Sequence, residues 1–131
     1  DKSGDFPDAT PTILVDHCTI DGVSNADSRR LFYIRFKGNK VTFTNNIVSN
    51  TEPGRGFTDS SNTDPETVFS NNNYFNTKNL VSNDGLAEGK DLLFDAEGYT
   101  LDPGYANAAE GDFTLSQEDL IYYQVGDPRW Y

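Results

Sequence analysis

Val41-Thr42-Phe43-Thr44-Asn45-Asn46-Ile47-Val48 is a short β-prone run, a kink of two asparagines, and a second short β-prone run. The same sentence is written twice more in the chain. Ile13-Leu14-Val15-Asp16-His17-Cys18-Thr19-Ile20 precedes it, and Val68-Phe69-Ser70-Asn71-Asn72-Asn73-Tyr74-Phe75 follows it. The recurrence distance is about 27 residues, inside the range that marks coiled repeat architectures. In such a stack each strand lies on its counterpart one coil away. The expectation is that residues 13–20, 41–48 and 68–75 stack in parallel with their bends aligned.

Asparagine suits the bends for a stated reason. A sharp single-residue bend requires the left-handed region, which Asn tolerates better than most residues. Stacked Asn side chains also hydrogen-bond from one copy to the next. His17 holds the matching place in the first copy. The competing arrangement is an antiparallel sandwich with the same runs as hairpin strands. Against it, hairpins favour Asn-Gly, and these bends are Asn-Asn and Asn-Asn-Asn.

Working outward, residues 1–12 are a polar, proline-containing lead-in. Residues 13–79 hold the coils, and 80–131 the last coil and a C-terminal cap. Leu31 to Lys37 alternates most clearly and is expected as a strand, with Phe32, Ile34 and Phe36 on one face and Tyr33, Arg35 and Lys37 on the other. Val41, Phe43 and Ile47 continue the buried set. A loop-rich excursion runs from Asn50 to about Glu66. The aromatic terminus, with Tyr122, Tyr123, Trp130 and Tyr131, is expected as a lid over the open end of the stack.

At 131 residues the chain is one domain or part of a larger one. Hydrophobic residues make up 35%, low for a compact globule, but 13% aromatics argue against disorder. The net charge of −11 makes nucleic acid and anionic membranes poor partners, since both need a basic footprint. Acidic polysaccharides are repelled too, unless a cation mediates. Cys18 is the one cysteine, so no intrachain disulfide forms, and its place in an apolar alternation reads as core. No apolar run approaches the ~20 residues that span a bilayer, and no membrane insertion is expected. The chain opens on Asp1 without a secretory signal and reads as a mature or excised piece.

The strand, Asn-bend, strand coils resemble the pectate-lyase-like right-handed parallel β-helix. Leu101-Asp102-Pro103-Gly104-Tyr105, followed by Gly111-Asp112-Phe113-Thr114-Leu115, looks like the closing segment of many such helices. The ending Gly126-Asp127-Pro128-Arg129-Trp130 is similar to a domain of unknown function that closes secreted β-helix proteins of surface glycan-utilisation systems. The likeness covers roughly residues 13–130. It implies an all-β fold, the terminal coils and cap of a right-handed parallel β-helix. Members of this group are polysaccharide lyases, glycoside hydrolases or non-catalytic glycan binders, and fold alone does not choose among them. The implied setting is secreted or cell-surface, with a polysaccharide or oligosaccharide as ligand and upstream coils of the same protein as a partner.

In this fold ligands usually lie along the outer face of one sheet. Tyr33 is placed to stack on a sugar ring, and Arg35 or Lys37 to contact carboxylate or hydroxyl groups. Trp130 is a further sugar platform. An ordinary solvated strand face explains the same residues. Arg35 or Lys37 would serve as a lyase base only with a lowered pKa. Hydrolysis needs two carboxylates across the scissile bond, and no pair has a sequence reason to face each other. Asp59 and Asp64, with Ser60, Ser61 and Asn62, offer oxygen ligands for Ca²⁺ but lack the EF-hand pattern, so no metal site or cofactor is expected. His17, the sole histidine, reads as a bend residue. The leading function is a non-catalytic glycan-binding or structural completion module. The alternatives are the end portion of a polysaccharide lyase whose catalytic groups lie mostly outside this chain, and an adhesin-like spacer.

Overall fold

A computed structural model describes residues 3–34, 38–58, 67–82 and 93–131. The described part is mostly strand with little helix. Six strands lie in chain order: β1 (Thr12–Asp16), β2 (Thr19–Asp21), β3 (Lys40–Thr44), β4 (Ile47–Thr51), β5 (Val68–Ser70) and β6 (Asn73–Thr77). Among the described residues one α-helix, α1 (Glu118–Tyr122), and three 3₁₀ turns complete the elements.

The strands form two parallel sheets, ordered β1-β3-β5 and β2-β4-β6, so the chain alternates between them. Ile13 pairs with Val41, and Val15 with Phe43, which in turn pairs with Phe69. Ile47 lies between Thr19 and Asn73. The three quoted stretches therefore stack in parallel. The spacing along the first sheet is uneven: Leu14, Thr42 and Val68 are register partners, separated by 28 and then 26 residues. The middle copy thus lies one position beyond an even repeat of 27, and the third falls on it.

Alternation explains the core. Val41, Phe43 and Val48 point between the sheets and are buried with Phe57, Tyr74 and Leu80. Phe32, Phe43, Phe57 and Phe69 meet edge-on, tilted or stacked, with centroids 4.6–6.3 Å apart. Such contacts add to simple area burial. Ile13 and Val15 share the inward direction but stay half-buried, because β1 is an edge strand.

The described part of the expected strand at 31–37, Leu31–Ile34, takes a different form. Leu31–Ile34 is not strand. It is held by two backbone bonds, Leu31 N–H to Gly56 and Phe32 N–H to Phe57, onto the corresponding segment one repeat later. Its alternation still sorts the side chains: Phe32 and Ile34 pack against the core, and Tyr33 is 69% exposed. Arg35, Phe36 and Lys37 lie outside the described residues.

Ile47 is buried, but not in the same core. The bend at Asn45 resets the alternation, so Ile47 faces the outside of the second sheet. There it packs with Leu115, Leu120 and Val125, flanked by Leu101, Tyr105, Ile121 and Trp130. The C-terminal segment therefore lies across a sheet face, where the sequence reading put it over the end of the stack.

Candidate functional site

The bends set the positions of the polar groups. His17, Asn45 and Asn71 occupy the left-handed region, with φ of 50°, 55° and 54°. A second row follows β2 and runs through β4 and β6: Gly22, Asn50 and Asn76, with φ of 66°, 52° and 49°. Sequence reading missed this second row. Its signal was the 26-residue step from Asn50 to Asn76.

Each row carries an amide ladder. Asn71 Nδ2 donates to Asn45 Oδ1 at 2.6 Å, and Asn45 Nδ2 to Asp16 Oδ1 at 2.8 Å. Asn76 Nδ2 donates to Asn50 Oδ1 at 2.8 Å, and Asn50 Nδ2 to Asp21 Oδ1 at 2.7 Å. Both run toward the first repeat and stop at a carboxylate, because an ionised carboxylate accepts and does not donate. A third, interior ladder runs the other way. Asn46 donates to Asn72 Oδ1, and Asn72 Nδ2 donates to Asp95 Oδ2 at 2.9 Å. Tyr74 Oη also donates to Asp95 Oδ2, at 2.8 Å, and burial beside this carboxylate drives the phenol pKa far up.

Asp16 and His17 form a pair at the edge of the first sheet, with His17 Nδ1 2.9 Å from Asp16 Oδ2. The amide of Asn45, then His17, with Thr44 adding a hydroxyl, holds the Asp16 carboxyl down at about 2. His17 Nδ1 is thereby engaged at the bend.

A cleft of about 330 Å³ opens on the side of the stack that belongs to neither sheet. Among the described residues it is lined by Ser24, Ser28, Arg29, Arg30 and Tyr33. The Arg30 guanidinium sits over the Tyr33 ring, 4.7 Å from its centroid. Ser24, itself at φ 55°, donates its hydroxyl to the Arg30 carbonyl at 3.0 Å. Arg55 N–H donates to the Arg29 carbonyl, which brings a third arginine alongside from the next repeat. Of the residues proposed from sequence, the structure puts Tyr33 here. Arg29 and Arg30, in a stretch read only as a polar excursion, were missed. Two adjacent arginines three residues ahead of an outward tyrosine were the available signal.

Trp130 does not line this cleft. It is half-buried in the cluster over Ile47, edge-on to Phe113 at 5.8 Å and beneath the Arg129 guanidinium at 5.5 Å. A polar relay fixes the same segment: Tyr105 Oη meets Ser49 Oγ at 3.0 Å, and Ser49 donates to Asp21 at 2.7 Å. Burial, with Asp21 and Asp102 adding, pushes the Tyr105 phenol up to about 12. Tyr122 and Tyr123 remain exposed, and Tyr123 stacks on Tyr99 at 6.1 Å. Arg35, Lys37, Asp59 and Asp64 lie outside the described residues. Among the described residues no group of three or more His, Cys, Asp or Glu side chains is arranged to hold a metal ion.

A family model described as a domain of unknown function, DUF5123, matches residues 13–130. The chain belongs to the DUF5123 family. The DUF5123 match begins within β1 and ends at Trp130, so it takes in the ladders, the arginine cleft and the C-terminal segment. No curated protein and no solved structure matches this DUF5123 chain. No helix among its described residues is long and apolar enough to cross a membrane.

Proposed function

We propose that this DUF5123 chain is a non-catalytic module that closes a right-handed parallel β-helix in a secreted or cell-surface protein, and that it serves glycan handling by completing the stack and binding sugar. The observation that carries this reading is the open edge of the first repeat. β1 and β2 are edge strands, with Ile13, Val15 and Ile20 half-buried beneath them. Both outer ladders end there on Asp16 and Asp21, carboxylates with acceptor capacity left for donors of a further repeat. The alternation of the chain between two parallel sheets supports the β-helix, and parallel crossovers are right-handed almost without exception. The far side of the second sheet is covered by the C-terminal segment, in keeping with a closing role.

The test has two arms. Isolation of the native protein from its source should give a species heavier than the 14.6 kDa of this chain, with repeats preceding Asp1. A native species of that mass, monomeric in solution, would remove the completion reading. In the second arm the chain is incubated with neutral and acidic polysaccharides, with and without Ca²⁺. The expected result is retention without cleavage. Unsaturated products absorbing in the ultraviolet would reveal a lyase, and new reducing ends without that absorbance a hydrolase.

A further inference from the structure

We infer that the surface built by Tyr99, Tyr122 and Tyr123, with Glu118 and Asp119 beside them, docks an arginine-bearing segment of a partner polypeptide. The inference goes beyond the closing role and stands whether or not the chain completes a larger stack.

The three rings are contiguous and open to solvent. Tyr123 stacks on Tyr99 with centroids 6.1 Å apart, and Tyr122 meets Tyr123 edge-on at 5.0 Å. Tyr122 is 79% exposed, Tyr123 51% and Tyr99 37%. Core packing does not account for them: α1 buries Leu120, with Ile121 beside it, and leaves both neighbouring tyrosines outside. A backbone bridge between Tyr99 and Asn73 and a bond from Asn71 Nδ2 to the Tyr123 carbonyl fix the row against the third repeat. Single exposed aromatics are ordinary, whereas a fixed cluster of them marks a contact surface.

Charge selects the occupant. Glu118 and Tyr122 stand four residues apart on α1, one turn of helix. Asp119 and Tyr123 have the same spacing, and the Tyr123 N–H donates to the Asp119 carbonyl at 2.9 Å, which closes that turn. Each exposed ring therefore has an exposed carboxylate one turn before it on the same face. Among the described residues neither carboxylate has an ion-pair partner. With Asp102 they also line a cleft of about 460 Å³, whose lining among the described residues holds no basic side chain.

The chain itself shows what such a pair holds. Asp127 Oδ2 accepts from Arg129 Nε at 2.9 Å while the same guanidinium lies over Trp130, 5.5 Å from the ring centroid. A guanidinium is planar, so it covers an aromatic face and keeps its N–H edge for a carboxylate. Glu118 with Tyr122, and Asp119 with Tyr123, offer this arrangement twice to an arginine from outside. The net charge of −11 draws a basic segment to the chain, and the paired rings decide where it settles.

The experiment is calorimetric titration of the full chain with a terminally blocked Ala-Arg-Ala-Arg-Ala peptide and with its lysine and glutamine counterparts. Saturable binding of the arginine peptide is expected, with Kd on the order of 1 mM, weakening as NaCl is raised. The glutamine peptide should bind at least about tenfold more weakly, and the lysine peptide in between. Tyr122→Ala, which leaves the charge unchanged, should weaken arginine binding about two- to fivefold, and Tyr122→Phe should keep it. Glu118→Gln should weaken it to a similar degree, while Asp8→Asn, which removes the same charge from the exposed lead-in, should not. Tyr122 and Glu118 are exposed, so their variants keep the fold. The inference is overturned if the arginine peptide does not bind, if the glutamine peptide binds as well, if Tyr122→Ala binds unchanged, or if Asp8→Asn costs as much as Glu118→Gln.

Discussion

Asn46 and Asn72, one repeat apart and both sealed from solvent, are joined twice: the backbone N–H and the side-chain Nδ2 of Asn46 both donate to Asn72 Oδ1, at 2.9 and 3.2 Å. Asn72 passes the connection on through Nδ2, to the Phe43 carbonyl at 2.8 Å and to Asp95. One side chain thus satisfies backbone groups and a carboxylate that burial would otherwise leave costly.

Asn72→Ala should therefore destabilise the fold by at least about 2 kcal/mol, since a buried group left unsatisfied costs about 1–3 kcal/mol. Urea unfolding followed by circular dichroism measures it. A loss below about 0.5 kcal/mol would mean that water replaces the amide without penalty.

The bend at Asn45 separates two effects. Asn45→Gly and Asn45→Ala both remove the ladder amide, but only alanine carries the left-handed cost of about 1–2 kcal/mol. The alanine variant should be the less stable of the two by about 1 kcal/mol. Equal denaturation midpoints would show that the bend relaxes.

Phe43, fully buried and in contact with three other phenylalanines, should cost about 3–5 kcal/mol as Phe43→Ala. Leu14 faces out on the neighbouring strand, 70% exposed, and Leu14→Ala should change stability by less than about 0.5 kcal/mol. Reversal of that order in a denaturant titration would overturn the inward assignment of the first sheet.

Acid should loosen the ladder's end. Folding lowers the Asp16 pKa to about 2, from an ordinary carboxylate near 3.9. Between these values the unfolded chain holds more protons than the folded one. The contribution is therefore complete above the unfolded pKa and is lost as pH falls toward 2. Asp16 is exposed, so solvent screening keeps the effect small. Asp16→Asn should flatten this part of the acid limb when urea midpoints are compared between pH 5 and 2.5. Superimposable limbs would place the acid sensitivity elsewhere.

Gly126 lies where the C-terminal segment crosses the second sheet. Its φ is 99°, and a Cβ there would stand 2.8 Å from Ile47 Cδ1. Gly126→Ala should lift the segment from the sheet, shifting Trp130 fluorescence to the red and lowering the melting temperature. Arg129→Ala, at an exposed position next to the same tryptophan, should leave the melting temperature within about 2 °C. An unshifted Trp130 spectrum in Gly126→Ala would show that the strand and loop yield without detaching.

The stacked bends were legible because few side chains tolerate a left-handed backbone, so Asn45 and Asn71 announce it and their spacing gives the repeat. Inward positions such as Val41 and Phe43 followed from alternation. Leu31–Ile34 alternates just as well, yet alternation reports only which side faces the core. It does not report whether the segment is assigned as strand, and among the described residues two backbone bonds, from Leu31 and Phe32, tie it to the next repeat. Ile47 was read as buried for the wrong partner, because a bend changes the phase of the alternation and the covering segment begins more than 50 residues later. The cleft was partly legible. Tyr33 stood out as an outward aromatic, while Arg29 and Arg30 looked like loop charges until the fold set both along the cleft and Arg30 over the Tyr33 ring.

The bond from Asp127 N–H to Thr19 Oγ1 joins residues 108 positions apart, whereas neighbouring strands pair across 26–28. Contacts of such long sequence separation form slowly, because a large loop must close before they give anything back. The repeats are able to assemble from near neighbours, but Ile47 and the outer face around it must wait for the last stretch of chain to be made. During synthesis that face is bare, and its apolar surface is open to other chains. The final residues then act as a latch on folding: a nascent chain that stalls before Val125 exposes a sheet that the finished protein hides.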